Sequence, residues 1–371
     1  MKRLSTVIAI IAFIVVALLS LSARTSYSQG TLPTASPVAI LNACEALLAR
    51  AINALATSCQ SVGRNKACYG NIQVKAEANN NVSLRFDTVG DIANIADIHT
   101  LTTFPLDVEK GVWGLSLLKL QANLPDTLPG QNVTFLVFGN THIDNASGDM
   151  QTFYFTSGLG NDSCKEAPHD SIVVKAPQRT NVTFTANGVK ITIASTVVLR
   201  AERGKTMSIG LIEGHATVET AFGKQSLTPG DEVSVPLGGL DGFTPVGAPS
   251  VPKPSNEDSS LAPVVQVASK IGDPTGFVNI TIKGCVTAVQ GNLVVVNGYV
   301  INTGNNPALR RAKVGDCVVV QGRLQGGSGQ GITFVPVPVI PSGNGTGNGN
   351  ANGNSTGQGT GSSTGSSNGS S

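Results

Sequence analysis

Apolar and polar residues alternate in short stretches from Tyr69 to about residue 340, and glycine, proline and asparagine separate these stretches. Residues 72–76, 82–86 and 207–211 are typical examples. A period of two indicates half-buried β-strands, and the residues between them favour tight turns. Because each sheet must bury one face, the pattern predicts a mainly β protein of antiparallel sandwich or roll modules.

One stretch before this pattern has helical spacing. Residues 37–58 carry apolar side chains three and four positions apart, including Leu41, Cys44, Leu48 and Ile52. Pro37 suits the first turn of a helix. The sequence therefore predicts a helix over 37–58, and no other convincing helix after residue 28.

Turn-rich and low-complexity segments divide the rest of the chain. We expect, in order, a β-rich module, a second β-domain, a Pro/Ser-rich linker, a small β-barrel and a Gly/Ser/Asn-rich tail: residues 68–167, 171–238, 247–262, 263–340 and 342–371. Five or more short strands in the fourth segment fit a barrel, because closure removes exposed sheet edges. The tail has no charge and no large apolar side chain, so we expect it to be disordered.

The charge content excludes several classes of protein. Only 13% of the residues are charged, and 25 basic residues face 23 acidic ones for a net charge of +2. A nucleic-acid-binding protein needs a dense basic surface, and a coiled coil needs charged flanking positions. A protein with several membrane spans needs several long apolar runs, and the chain has one.

That run lies at the N-terminus. Residues 1–28 combine the basic residues Lys2 and Arg3, an apolar stretch and small residues before Gln29, the pattern of a cleaved signal peptide. The alternative is an uncleaved anchor running from Thr6 to Ala23, which would be the chain's sole contact with a membrane. Both versions predict an extracytoplasmic protein, either secreted or held at the cell surface or in the envelope.

Six cysteines follow the N-terminal segment: Cys44, Cys59, Cys68, Cys164, Cys285 and Cys317. An even number in an exported chain favours disulfides, and the absence of CxxC spacing argues against zinc. Cys285 and Cys317 share the last domain, so we expect them to pair. The other four allow three pairings. A continuous helix would hold Cys44 and Cys59 about 20 Å apart, which disfavours that bond.

The histidines match no metal-binding or catalytic motif. They are His99, His142, His169 and His215. His142 and Asp144 would share one strand face, the sole hint of an acid–base pair. Ser116 lacks the second glycine of a GxSxG nucleophile turn. We therefore predict no catalytic residue.

Acidic residues are equally uninformative about catalysis. The candidates for a carboxylate pair are Asp107, Glu109, Glu202, Glu213, Glu219, Asp231 and Glu232. Each lies at a predicted turn or on a polar strand face, where solvation explains it. Residues 91–97 and 140–144 are thin matches to a calcium loop. We predict neither a metal nor a cofactor.

The segment from Met207 to Leu237 resembles the C-terminal half of the FecR-type periplasmic sensor domain. The matching positions are Glu213, Gly214, Leu227, Gly230, Val233 and Val235. The resemblance implies an extracytoplasmic β-domain used in signal relay, and it supplies no catalytic residue. Residues 314–324 are similar to small OB-like barrels, and residues 111–140 resemble a module of uncharacterised exported bacterial proteins.

These observations favour a non-enzymatic, exported bacterial protein of the cell surface or envelope. It would bind an unknown protein or glycan, but no nucleic acid, through its β-modules. The first alternative is a FecR-like sensor or signal-relay component. The second is a secreted hydrolase.

Overall fold

The computed structural model describes residues 43–79, 82–121, 132–145, 147–158, 164, 167–177, 180–257, 259–272, 278–305, 309–325 and 333–336. The predicted targeting segment, its cleavage position and the C-terminal tail lie outside these ranges. Two helices are present within them, α1 (Ala43–Ser58) and α2 (Ala262–Gly272). Neither is long and apolar enough to cross a membrane.

Strands make up most of the described chain, as expected. In chain order they are β1 (Lys66–Asn71), β2 (Val74–Ala78), β3 (Ile92–Asn94), β4 (Ile98–Thr103), β5 (Leu115–Gln121), β6 (Asn132–Phe138), β7 (Thr141–Asp144), β8 (Thr152–Ser157), β9 (Ser171–Lys175), β10 (Val182–Ala186), β11 (Val189–Ile193), β12 (Thr196–Glu202), β13 (Thr206–Glu213), β14 (Ala216–Thr220), β15 (Gly223–Leu227), β16 (Asp231–Gly238), β17 (Thr244–Pro245), β18 (Lys253–Pro254), β19 (Val278–Gln290), β20 (Leu293–Val296), β21 (Tyr299–Asn302), β22 (Cys317–Gln325) and β23 (Thr333–Pro336).

Three sheets contain these strands. The first has the order β17-β16-β13-β12-β9-β6-β5-β1-β3, with β18 beside β16, and the second has the order β15-β14-β11-β10-β8-β7-β4-β2. They pack face to face around one apolar core. The third has the order β21-β20-β19-β22-β23 and curls into a half-barrel in which β21 and β23 approach each other. The fold is mainly β, as the sequence predicts.

The sandwich crosses the boundary that we expected between residues 167 and 171. β6 pairs with β9 in the first sheet, and β8 pairs in parallel with β10 in the second. Residues 68–167 and 171–238 therefore share two sheets and one core. The local pattern cannot reveal this, because alternation places a residue on a face without naming the neighbouring strand.

The first sheet is covered on both faces. Its inner face packs on the second sheet, and side chains such as Leu117, Leu136 and Val173 on its outer face pack against the helices and the half-barrel. Strands buried on both sides read as continuous apolar runs, and Ile172, Val173 and Val174 are all fully buried. The second sheet is covered on one side, so its strands keep a clear alternation.

Helix α2 corrects the expectation of a single helix after residue 28. Its valines suit strands by composition. Val264, Val265 and Ala268 nevertheless lie on one face of a helix that contacts β6 and β9. Residues 82–86, which alternate like a strand, join no ladder, although Phe86 is buried against the ring of Tyr69.

Residues 246–257, which we call the strap, lie in the predicted linker and follow the edge of the sandwich closely. The backbone N–H groups of Val246, Ser250 and Ser255 donate to carbonyl oxygens of β16 or of the turn before it. On the other side, the hydroxyl of Thr220 donates to the carbonyl of Gly247. The strap therefore closes the side of the sandwich and leads directly into α2.

The six cysteines form three pairs. They are Cys44–Cys164, Cys59–Cys68 and Cys285–Cys317. Cys44 and Cys59 lie at opposite ends of α1 and bond to different partners, which settles the pairing left open by the sequence. Three disulfides indicate an oxidising, extracytoplasmic environment.

Candidate functional site

A cleft separates the sandwich from the half-barrel. Its volume is about 430 Å³ including the open mouth. Its lining is Leu211, Ile212, Gly230, Ser255, Glu257, Leu261, Ala262, Val265, Ile280, Thr281, Ile282, Lys283, Asn297, Tyr299 and Leu324. The sandwich with its strap, the segment that begins α2 and the half-barrel supply these residues, so the cleft lies where the two β units meet.

An ion pair joins the two units at the rim of this cleft. The Lys283 ammonium lies 2.7 Å from Oδ1 of Asp231 and donates to the hydroxyl oxygen of Thr228 at 2.9 Å. Burial opposes the charge of Asp231, but hydrogen bonds from Lys283 and Thr228 outweigh it and hold the pKa of the carboxyl below its usual value. Asp231 is therefore fixed as an anion facing a cation.

A second ion pair holds the strap on the sandwich. Nη1 and Nη2 of Arg200 donate to the two carboxylate oxygens of Glu257 at 2.5 and 2.6 Å, a bidentate arrangement. The side chains of Arg200 and Glu257 are only 19% and 10% exposed. Nε of Arg200 donates to Ser171. Glu257 is therefore a largely buried ion-pair partner, although it lies within the predicted Pro/Ser-rich linker.

Glu232 lies under the same strap. Its side chain is 7% exposed, and one carboxylate oxygen is 3.6 Å from the ammonium of Lys253. Burial raises the pKa of Glu232, Glu257 raises it further, and Lys253 and Arg200 act in the opposite direction. We had expected a solvated position for this residue.

A third ion pair faces the start of β19. Oε2 of Glu213 is 3.4 Å from the ammonium of Lys175 and accepts from the hydroxyl of Ser195 at 2.8 Å. Asn279 of β19 approaches its other oxygen. These acids thus each face a base, and the pair of Lys283 and Asp231 joins the half-barrel to the sandwich.

The loop between β16 and β17 has a different character. In this tip loop, residues 239–243, Leu240 is fully exposed. The carboxylate of Asp241 accepts from the backbone N–H groups of Phe243 and Thr244. Gly242 bonds through its carbonyl to the N–H of Gly204. The loop is therefore held in one shape while the side chain of Leu240 points into solvent.

A small aromatic cluster adjoins the tip loop. The rings of Tyr154 and Phe243 are 5.7 Å apart between centroids. The guanidinium carbon of Arg203 lies 5.1 Å from the centroid of Phe243, a cation–π contact. Nε of Arg203 also donates to the carbonyl of Asp241. Tyr154 and Arg203 therefore help to hold the tip loop in place through Phe243 and Asp241.

His142 and Asp144 share the outer face of the second sheet, as predicted. Nδ1 of His142 lies 2.8 Å from the hydroxyl of Thr102 on β4. Oδ1 of Asp144 is buried without a hydrogen-bond partner. Neither residue lines the cleft. The other three histidines, at positions 99, 169 and 215, are exposed on separate strands or turns.

The remaining predicted acids serve turns and exposed ion pairs. Asp107 pairs with Lys110, Glu202 with Lys205, and Glu219 with Lys190 and Lys224. Glu109 is exposed. Asp91 accepts from the backbone N–H groups of Asp87 and Thr88. Across the described ranges, no group of three or more His, Cys, Asp or Glu side chains is arranged to hold a metal ion.

Ser116 is buried and donates its hydroxyl to the carbonyl of Cys68, which leaves it unsuited to attack a substrate. Sequence reasoning missed Arg200, Glu257 and Leu240. The first two are 57 positions apart and meet only through the fold. The signal that could have pointed to Leu240 is the pair of glycines that flank Leu240 and Asp241, because glycine favours turns, and both Gly239 and Gly242 adopt positive φ.

No family model matches the chain, and no curated protein matches it either. Two crystal structures of a "putative anti-sigma factor" from Parabacteroides distasonis ATCC 8503, at 1.65 and 2.50 Å resolution, align with 38% of this chain. The alignments cover 56% and 60% of those chains, at 10% sequence identity and a TM-score of 0.24. This chain therefore spans less than two thirds of that protein, and the likeness is too slight to establish a shared fold.

Proposed function

We propose that this protein is an exported, non-catalytic binding protein of the bacterial cell surface or envelope, which contacts a protein partner through its tip loop. The observation that carries the proposal is the full exposure of Leu240 on a loop whose bends are fixed by Asp241, Gly242 and Arg203. A preordered loop loses little conformational freedom on binding, so its exposed leucine can act as an anchor.

The surroundings of the loop favour a protein over a glycan. A sugar stacks on an open aromatic face. Arg203 lies over the ring of Phe243, and Tyr154 approaches the same ring. The exposed Leu240 side chain beside the guanidinium of Arg203 instead suits a protein pocket that is apolar at its base and acidic at its edge.

The absence of catalysis is part of the proposal. Around the cleft, Arg200, Lys283 and Lys175 each face a carboxylate, so these acids and bases stabilise the architecture. A general acid or base needs access to a substrate proton. We expect ester, peptide and glycoside substrates to show no turnover. Turnover abolished by His142→Ala would instead support the hydrolase alternative.

Binding is tested with the purified chain and envelopes from cells that lack its gene. The labelled protein should bind saturably, and Leu240→Asp should weaken binding at least about tenfold, the loss of one anchor. Ile72→Asp is the matched control, because Ile72 is also an exposed apolar residue, 51% accessible, on the turn after β1. Equal binding by all three proteins would refute the role of the tip loop.

A FecR-like sensor is the second candidate, and one observation favours it. The segment that resembles the sensor domain folds into consecutive strands, β13 to β16, with Gly214 and Gly230 at positive φ and Val233 and Val235 fully buried. Such a role predicts a retained N-terminal anchor. N-terminal sequencing of the exported protein tests it, and a mature start near Gln29 would contradict it.

A further inference from the structure

The three disulfides differ sharply in accessibility. Cys44, Cys59, Cys68 and Cys164 are at most 6% exposed. Cys285 and Cys317 are both exposed, although they belong to the half-barrel strands β19 and β22. A thiolate must reach a sulfur atom in order to attack it. Only one of these disulfides therefore offers its sulfurs to another molecule.

The accessible disulfide is also the one that the fold needs least. β19 and β22 are paired in register from Val278–Leu324 to Cys285–Cys317, and the cysteines are the last pair of this ladder. Backbone hydrogen bonds at the adjacent turn, between Val286 and residues 315 and 316, hold the same end together. The strands would stay aligned after the covalent bond opened.

Two exposed valines lie near Cys317. Val319, two residues along the strand and on the same face, is 60% exposed, and Val314 in the preceding turn is 64% exposed. The corresponding neighbours of Cys285, two positions away along its strand, are the polar residues Lys283 and Thr287. A partner that carries a reactive thiol beside apolar side chains can therefore contact Val314 and Val319 as it approaches Cys317.

We infer that Cys285–Cys317 is a site of reversible thiol–disulfide exchange with an extracytoplasmic dithiol oxidoreductase. In the reducing direction, a thiolate of the partner attacks Sγ of Cys317, a mixed disulfide forms, and the Cys285 thiolate leaves and takes a proton from water. The second thiol of the partner attacks the partner's bonded sulfur and releases Cys317. Two electrons pass from the dithiol to the protein, and the partner becomes a disulfide.

Dithiothreitol without denaturant is the first probe. The folded chain is exposed to it for increasing times, alkylated with iodoacetamide and mapped by peptide mass spectrometry. We expect alkylation of Cys285 and Cys317 at least about tenfold faster than that of the other four cysteines, with an unchanged far-UV circular dichroism spectrum. Equal opening of a buried disulfide, or loss of the spectrum with the first opening, would overturn the inference.

Reduced glutathione identifies the attacked sulfur. The trapped mixed disulfide should lie on Cys317, and a glutathione adduct on Cys285 would contradict the assigned direction.

The variant Cys285→Ser/Cys317→Ser tests, without any reductant, whether the fold needs this disulfide. It should fold and bind envelopes as the parent does, whereas failure to fold would show that the bond is a structural requirement. Cys59→Ser/Cys68→Ser, which removes a buried bond, is the matched comparison and should lose stability.

Discussion

Gly230 lies where the backbone of the sandwich is in close contact with the half-barrel. Its φ is +82°, and a Cβ atom there would lie 2.9 Å from the carbonyl oxygen of Thr281 and 2.9 Å from Cγ of Lys283. Gly204 also has a positive φ, +70°, but a Cβ would meet nothing within 4 Å. A substitution at Gly204 therefore introduces backbone strain alone, whereas one at Gly230 introduces the same strain and a steric clash.

We predict that Gly230→Ala lowers the free energy of unfolding by about 2–3 kcal/mol, and Gly204→Ala by about 1 kcal/mol, because the first adds a clash to the same backbone cost. Urea denaturation followed by circular dichroism measures both values. Equal losses of stability in the two variants would mean that the half-barrel shifts without an energetic cost, which would contradict the close contact of Gly230 with Thr281 and Lys283.

Glu232 should make stability depend on pH. Because burial raises its pKa above the ordinary value of 4.5, the folded protein holds the proton more tightly than the unfolded chain. Its contribution is complete below the unfolded pKa and is lost as pH rises through the folded pKa. Glu232→Gln should thus gain stability relative to the parent as pH rises from 4.5, by about 1 kcal/mol at neutral pH.

Denaturation at pH 4.5 and at pH 7.5 measures this difference. Glu219→Gln is the control, since the side chain of Glu219 is 42% exposed, and its stability should follow the parent within about 0.5 kcal/mol at both pH values. A Glu232→Gln protein that gains no stability relative to the parent between pH 4.5 and pH 7.5 would show that the Lys253 contact outweighs burial.

The ion pair of Arg200 and Glu257 holds the strap together with its backbone hydrogen bonds, and both of its side chains are largely buried. We predict that Glu257→Gln destabilises the protein by about 3 kcal/mol, because it leaves the guanidinium of Arg200 largely buried beside a neutral partner. The exposed pair Lys75 and Glu77 provides the comparison, with side chains 63% and 54% accessible, and Glu77→Gln should cost far less stability than Glu257→Gln. A double-mutant cycle with Arg200→Met isolates the coupling, and a coupling below that of the exposed pair would contradict the prediction.

Strand content was predictable because alternation and turn residues are local signals. Helix α2 was not, because Val264 and Val265 favour strands and become helical through contact with β6 and β9. The strap was read as a linker since its prolines and serines carry no sign of the hydrogen bonds that it makes to β16. Asp231 at the rim of the cleft could be named from sequence, but its partner Lys283 could not, because the two residues meet across 52 positions.

At the scale of the whole molecule, the sandwich and the half-barrel should unfold together. α2 contacts both units, and one cluster of buried side chains includes Leu136 of β6 and Ile280 of β19. Two bodies that share a core lose it together. We predict that peptides from β12 and from β22 lose protection against hydrogen exchange at the same urea concentration. A clearly earlier loss in β22 would show an independent half-barrel.

The pairing of β6 with β9 and of β8 with β10 has a consequence for how the chain folds as it is made. Because synthesis proceeds from the N-terminus, the first half of the sandwich emerges with two open sheet edges, since their partners follow later in the chain. Open edges recruit other strands. The interval between the emergence of residues 157 and 186 is therefore the period in which a chaperone would protect this protein best, and the arrival of β10 ends it.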